Sequence, residues 1–519
     1  MQVEGGWAVT QRKNDERAQV TPAGVQLIQL TAEHLAAIDG AGRVDVPRYD
    51  RSGLVTGIVH VGVGGFHRAH QAMAVDQLLS LGLGEDFAIC GVGLLPQDAR
   101  MGEVLADQDF LYTLMLKQAD GGRDARVIGS IVDFLLAPKD PEAVIERMAR
   151  PETRIVSLTI TEGGYNVDPT TGAFLDGDDG VQHDLANPAA PVTVFGFVAA
   201  ALGRRRSRGI PPFAVLSCDN LPHNGSVARA SFVAYARLAD PELGDWMEEH
   251  VPFPSSMVDR VTPVTADADR DDLRRRFGID DGWPVVAEPF FQWVIEDNFP
   301  TGRPPFEAAG VQVVPDVVPY ESMKLRCANC THQALCYFGT LLGYRFGHEA
   351  LQDPRILALV QRYLTEEALP TLSPIDGVDF AAYADLVVQR FANPEIADTL
   401  GRIRAFGSDR LPKWLLPVIR DNLAAGRSVQ VSAAVCASWA RFSEGVDDRG
   451  EPIEIVDRLR DELGQAAKEQ RERPTAFIED RELFGDLVDN PGFRDPYLEA
   501  LEALHSGGAD EALRRLTGS

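Results

Sequence analysis

A strand that runs into glycines and then into a helix constrains this chain more than any other feature. Residues 60–71 read HVGVGGFHRAHQ: the β-branched run Ile58–Val63 meets Gly62, Gly64 and Gly65, and a helical pattern follows from about His67 to Leu81. In a dinucleotide fold the first glycine permits a tight turn, the second lets the backbone approach a pyrophosphate, and the helix amino end supplies amide donors. Val63 and Phe66 belong to the same turn, and Arg68 stands one step into the helix, within reach of a phosphate. The third fingerprint position holds His67, so the strict G-x-G-x-x-G is not met, and a plain strand-to-helix turn competes with the cofactor reading. A second strand is expected to end near Val92, with Asp98 after it. A carboxylate there accepts hydrogen bonds from the adenosine ribose and repels a 2′-phosphate, which favours NAD over NADP. The spacing is longer than usual, so an aspartate opening a helix is the competing reading of Asp98.

Further buried-strand runs at Phe87–Val92, Arg154–Ile160 and Phe213–Ser217 alternate with helical stretches, which argues for βαβ units and a parallel sheet. Beyond about residue 310 the strand signals fade. Cys327–Leu342, Pro354–Ala368, Asp379–Phe391, Ile396–Ala405, Val431–Phe442 and Ile455–Lys468 all read as helices. Pro-rich segments at 299–305 and 314–319 mark a boundary. The expected fold is therefore α/β: a loosely held leader over 1–50, with a capped helical patch at Thr31–Ile38, then a Rossmann-type parallel-sheet domain over 51–312, then a mostly α-helical substrate-binding domain over 313–519.

Charge narrows the function. Lys and Arg number 50 against 77 Asp and Glu, a net charge of -27, which repels nucleic-acid backbones and anionic lipid. The one basic run, Arg204, Arg205, Arg206 and Arg208, closes an apolar helical stretch, where cations suit the helix dipole. Six cysteines without regular spacing make no disulfide framework and fit a reducing cytoplasm. The amino terminus has no apolar signal-peptide core, and the longest apolar run, Val192–Gly203, is well short of the roughly 20 residues that span a bilayer.

The chemistry signal lies at residues 321–332, ESMKLRCANCTH. On an ideal helix Lys324, Asn329 and His332 fall within an arc of roughly 140°. A desolvated lysine is a general base, and amides donate to a developing alkoxide. Taken alone, K-x4-N-x2-H is more often a solvated helix face. Cys327, Cys330 and His332 invite a zinc reading, but a structural site wants four ligands, and no second pair lies nearby, so no metal is expected. His60, His67 and His70 are read as core or phosphate contacts.

HVGVGGFHRAHQA, CGVGL, SLTITEGGYN, TVFGFV, SCDNLPHNG, MVDRVTPVT, WPVVAEPF and K-x4-N-x2-H occur in this order over roughly residues 50–490. In that order they resemble the polyol-specific long-chain dehydrogenase/reductase, or mannitol dehydrogenase, family, which also includes fructuronate reductase, tagaturonate reductase and arabinitol dehydrogenase. The resemblance implies NAD, a polyol or ketose substrate, catalysis without zinc and interconversion of D-mannitol with D-fructose. The uronate reductases and arabinitol dehydrogenase are the alternatives, and a monomer is compatible with it. It implies Lys324 as the catalytic base, Asn220 and Asn329 as the oxyanion pair, and His332 as the motif histidine. Gly62, Gly64 and Gly65 become cofactor glycines, and Asp259, Arg402 and Arg410 substrate contacts. One departure stands out: Cys330 replaces the family's usual glycine, and a larger side chain beside Asn329 is expected to crowd the sugar. Glu321 is read either as a proton relay from Lys324 or as an exposed glutamate at a helix amino end.

Overall fold

Five short strands form one parallel sheet in the spatial order Ile131–Leu136, Ala88–Gly93, Thr56–Val61, Ile155–Leu158, Ala214–Ser217. This computed structural model describes residues 27–168 and 171–518. Numbered along the chain, the strands run 3-2-1-4-5, the Rossmann order, whose direction reverses between the first and fourth strands. Alternation drives their burial on both faces. Val59, Val61, Val156 and Val215 pack into one core with the helices Pro141–Ala149, Val194–Arg208 and Asn224–Ala239. Ile58, Ile89, Ile155 and Leu216 pack into another with the helix Gln71–Ser80.

Two three-stranded sheets flank this layer. In one, Tyr112–Lys117 lies between Val285–Ala287 and Arg123–Ile128; in the other, Gln292–Glu296 lies between Gln312–Val314 and Ser256–Asp259. These strands lie beyond the four runs that the sequence pattern marked, and Gln312–Val314 falls past the point where strand signals fade.

The carboxyl-terminal part is helical around one large core that includes Leu335, Phe338, Trp439 and Tyr497. Several expected helices differ in detail. The stretch from His67 breaks at His70 into Gly65–Ala69 and Gln71–Ser80, and Ile396–Ala405 shortens to Leu400–Ile403. The leader is corrected too. From residue 28 it is packed, with Leu30, Ile38 and Val44 buried and Ile28–Gln29 paired in parallel with Ile279–Asp280. The basic run is spoken for: Arg204 and Arg208 pair with Glu146, and Arg205 is buried on the carbonyls of Pro211, Arg150 and Thr153. Among the described residues no helix is long and apolar enough to cross a membrane.

Candidate active site

The site forms where the sheet order reverses. Gly62 leaves the first strand at φ 91°, and a Cβ there would stand 2.1 Å from the Thr159 carbonyl, so only glycine lets the two central strands end side by side. Beneath the turn, the buried ring of His60 bonds Ser157 through Nδ1 at 2.8 Å and Thr159 through Nε2 at 3.0 Å. Burial holds that imidazole neutral, its pKa down to about 3. His67, at the third fingerprint position, stacks on it at 3.4 Å between centroids. A Cβ on Gly64, by contrast, would enter open space with only the Gly62 carbonyl, at 3.8 Å, nearby. Beside it lies a cavity of about 270 Å³ lined by Gly65, Phe66, Arg68, Thr262, Thr265 and Trp283. Val63 is buried under the turn. Arg68 is buried as well, its guanidinium donating to the Trp283 carbonyl and lying 5.2 Å from the Tyr112 ring centroid. Asp98 follows the second strand in a short 3-10 turn, where its carboxylate accepts the Leu95 amide at 2.9 Å. An aspartate that closes a turn is thus part of its role.

The fourth and fifth strands bring in the next groups. Thr161 holds φ 66° and ψ 165°, a region L-residues avoid. Asp219 keeps it there, accepting the amides of Thr161 at 2.9 Å and Ile160 at 3.1 Å and the Tyr165 hydroxyl at 2.7 Å. Asn220 comes directly after Asp219 and faces the cleft.

Across the cleft stands the lysine helix, Val318–Lys324, which passes through a π-helical turn, Leu325–Asn329, into the helix Cys330–Leu341. The π turn matters. Five residues make about one turn in a π helix, so Asn329 returns to the face of Lys324 and the spread expected of an ideal helix narrows. Lys324 Nζ donates to Asn220 Oδ1. Desolvation lowers the Lys324 pKa; Arg390 adds to that, while Asp259, Glu321 and Glu162 oppose it. His332 stacks on Phe391 at 3.7 Å between centroids, and burial brings it to about 3, a neutral ring.

The remaining expected residues lie around this centre. Asp259 ends the strand Ser256–Asp259 and is gripped by Arg390, whose two terminal nitrogens donate to its two oxygens at 2.7 and 2.9 Å. Burial would raise the Asp259 pKa, but Arg390 overrides it and holds the carboxyl below its usual range. Arg402 forms a two-point pair with Asp398, and Arg410 donates to the Ile403 carbonyl at 2.9 Å. Glu321 is not the exposed glutamate of the alternative reading: it is buried and accepts the His223 amide at 2.8 Å. Cys330, expected beside the sugar, lies in the core. Its side chain is fully buried in the helical core beside Tyr363, and burial pushes the thiol up to about 12.

Residues 56–308 match the mannitol dehydrogenase Rossmann domain and residues 316–505 the mannitol dehydrogenase C-terminal domain. The chain belongs to the mannitol dehydrogenase family. Among its relatives, mannitol 2-dehydrogenase of Pyricularia oryzae is 44% identical over 92% of this chain and 97% of the relative. The mannitol 2-dehydrogenase of Cereibacter sphaeroides is 45% identical over 90% and 98%. A solved ternary complex of Pseudomonas fluorescens mannitol 2-dehydrogenase with NAD and D-mannitol superposes with a TM-score of 0.85 at 44% identity, covering 95% of this chain and all of that one. A substrate-free D-sorbitol dehydrogenase gives 0.84 at 39% identity, covering 91% and 97%.

This family member carries site residues that sequence reasoning missed. Arg390 grips the expected Asp259 and Asp398 the expected Arg402, and neither lies in a quoted motif. Glu288, which holds Arg390, and Asp219, which holds Thr161, were within view inside WPVVAEPF and SCDNLPHNG but were not singled out.

Proposed function

We propose that the chain is an NAD-dependent polyol dehydrogenase that interconverts D-mannitol and D-fructose. One observation carries the mechanism: Lys324 Nζ, buried in the cleft, rests on Asn220 Oδ1. The ammonium form of lysine has only donors, so the amide oxygen faces it and the Asn220 amide nitrogen is left for the substrate oxygen. Desolvation favours the neutral amine, whose lone pair takes the proton of the C2 hydroxyl while Asn220 and Asn329 hold the oxygen as charge develops. The bare Cα of Gly64 and the cavity beside it suit a dinucleotide held by Gly62, Val63, Gly64, Gly65 and Phe66, with Arg68 on the cavity wall and Asp98 toward the ribose. Bound NAD supplies the acceptor for the hydride that leaves C2. His332, neutral and stacked, orients the sugar or Lys324, and Asp259, Arg402 and Arg410 take the other hydroxyls. Glu321, buried against His223, stands three residues before Lys324 and relays its proton outward.

The test is NADH oxidation with fructose, fructuronate and tagaturonate in parallel. Fructose is expected to turn over with the highest kcat/KM; activity confined to a uronate would overturn the polyol assignment.

A further inference from the structure

Arg390 closes the helix Phe380–Phe391 in the carboxyl-terminal half, yet its side chain is committed to the other half. Nη1 and Nη2 take Asp259, while Nε and Nη2 take Glu288 at 3.0 and 2.7 Å. Four of its five N–H bonds are used in this way. The Phe290 ring covers the guanidinium face at 3.7 Å, and the residue is 8% exposed. Glu288 also accepts the Val261 amide at 2.6 Å, and its own amide donates to the Val261 carbonyl at 3.0 Å, so the turn after Asp259 is tied to it. One guanidinium therefore fastens two strand ends of the sheet half to the helical half, beside the lysine.

We propose that Arg390 is a positioning residue of the reaction: it aligns Asp259 for the sugar and sets the charge balance around Lys324. The proposal rests on the reading of Lys324 as general base. The groups facing Lys324 are Asp259 from the strand end, Arg390 from its helix, Glu321 one turn back and Glu162 from the turn after the fourth strand. Those facing Asp259 are Arg390, Lys324, His332, His70 and Tyr383, and His332 in turn faces Asp398 and Arg402. Among the described residues only Arg390 hydrogen-bonds the Asp259 carboxylate. Without it, Asp259 loses the cation hydrogen-bonded to it and stands as a buried carboxylate that stabilises the protonated form of Lys324, while Glu288 keeps the Val261 amide and the neighbouring Arg260.

The sign follows. Mannitol oxidation needs a neutral lysine and fails as pH falls through the lysine pKa; fructose reduction needs the protonated form and fails as pH rises through it. In Arg390→Gln the acid limb of kcat/KM for mannitol and the alkaline limb for fructose are both expected to move upward by about one pH unit or more, with a loss of about 100-fold in kcat/KM. Arg390→Lys keeps the charge but not the fork. Its limbs should stay within about 0.3 unit of the parent while the mannitol KM rises about tenfold. The thermal midpoint and the far-ultraviolet circular dichroism spectrum report folding of each variant. A folded Arg390→Gln with unmoved limbs overturns the proposal, as does an Arg390→Lys with the parent KM; should Arg390→Gln fail to fold, Arg390→Lys decides alone. Lys324→Ala separates the two assignments. If the acid limb survives in it, the base reading has failed; if it loses the limb while Arg390→Gln keeps the parent profile, only the clamp has failed.

Discussion

Lys324 is buried, yet it is a cation by default, and a lone buried charge is costly. Three carboxylates, Asp259, Glu321 and Glu162, and the Asn220 amide oxygen moderate that cost, but desolvation outweighs them and lowers the pKa, as the proposed base role requires. Removing it should therefore remove chemistry and spare binding. Lys324→Ala is expected to lose about 10²–10⁴-fold in kcat, the range of general acid–base catalysis, while the NADH dissociation constant stays within about twofold. A loss below about tenfold would end the assignment; partial rescue by a small primary amine would add to it. Cys330 lies only six residues from Lys324 but is buried in the helical core beside Tyr363.

The element that matters most is the segment 318–341. A regular helix would send Asn329 well away from Lys324; the π turn Leu325–Asn329 inserts the slack that brings the two together. Its other residues turn to the core. Cys327 and Cys330 are buried there, burial pushes both thiols up to about 12, and His332 lies against Phe391. A zinc ion needs thiolates and an open position, whereas the proposed mechanism assigns the task of polarising the alcohol oxygen to Lys324 and two amides. Prolonged treatment with EDTA or phenanthroline is expected to leave the rate unchanged, with elemental analysis finding well under one zinc per chain. Stoichiometric zinc whose loss abolishes turnover would refute this account of the helix.

At the scale of the whole molecule, buried ion pairs join segments distant in sequence. Glu444 is one hub: its carboxylate takes His505 at 2.7 Å from the terminal helix and Arg471 at 2.7 Å from the segment after Arg460–Glu469. Burial alone would raise its pKa, but these hydrogen bonds override it and hold the group at about 2. A folded-state value below the ordinary one of about 4.3 means that the stabilisation is present above that value and is lost as pH falls toward 2. Glu444→Gln should thus lower the thermal midpoint at pH 7, and the deficit should shrink progressively between pH 4.5 and pH 2.5, as calorimetry would record. A deficit of constant size across that range would rule out the ionised carboxylate as its source.

What the sequence determined by itself was local and periodic. Glycines at 62, 64 and 65 after a β-branched run mark a strand-to-helix turn, of which Gly62 is the position no other residue can take, and alternating apolar runs dictate a two-faced parallel sheet. The K-x4-N-x2-H spacing offered a candidate face but by itself read as a solvated helix, and the ordered run of motifs that resembles the family singled it out. Tertiary structure decided the rest. The Arg390 pair with Asp259 spans 131 residues, the Asp219 bond to Thr161 spans 58, and the packed segment from Ile28 closes onto a strand about 250 residues on. No local period encodes such partners. They exist because burying a charge or a strained backbone demands a partner from whichever segment the fold brings near, and only packing names that segment.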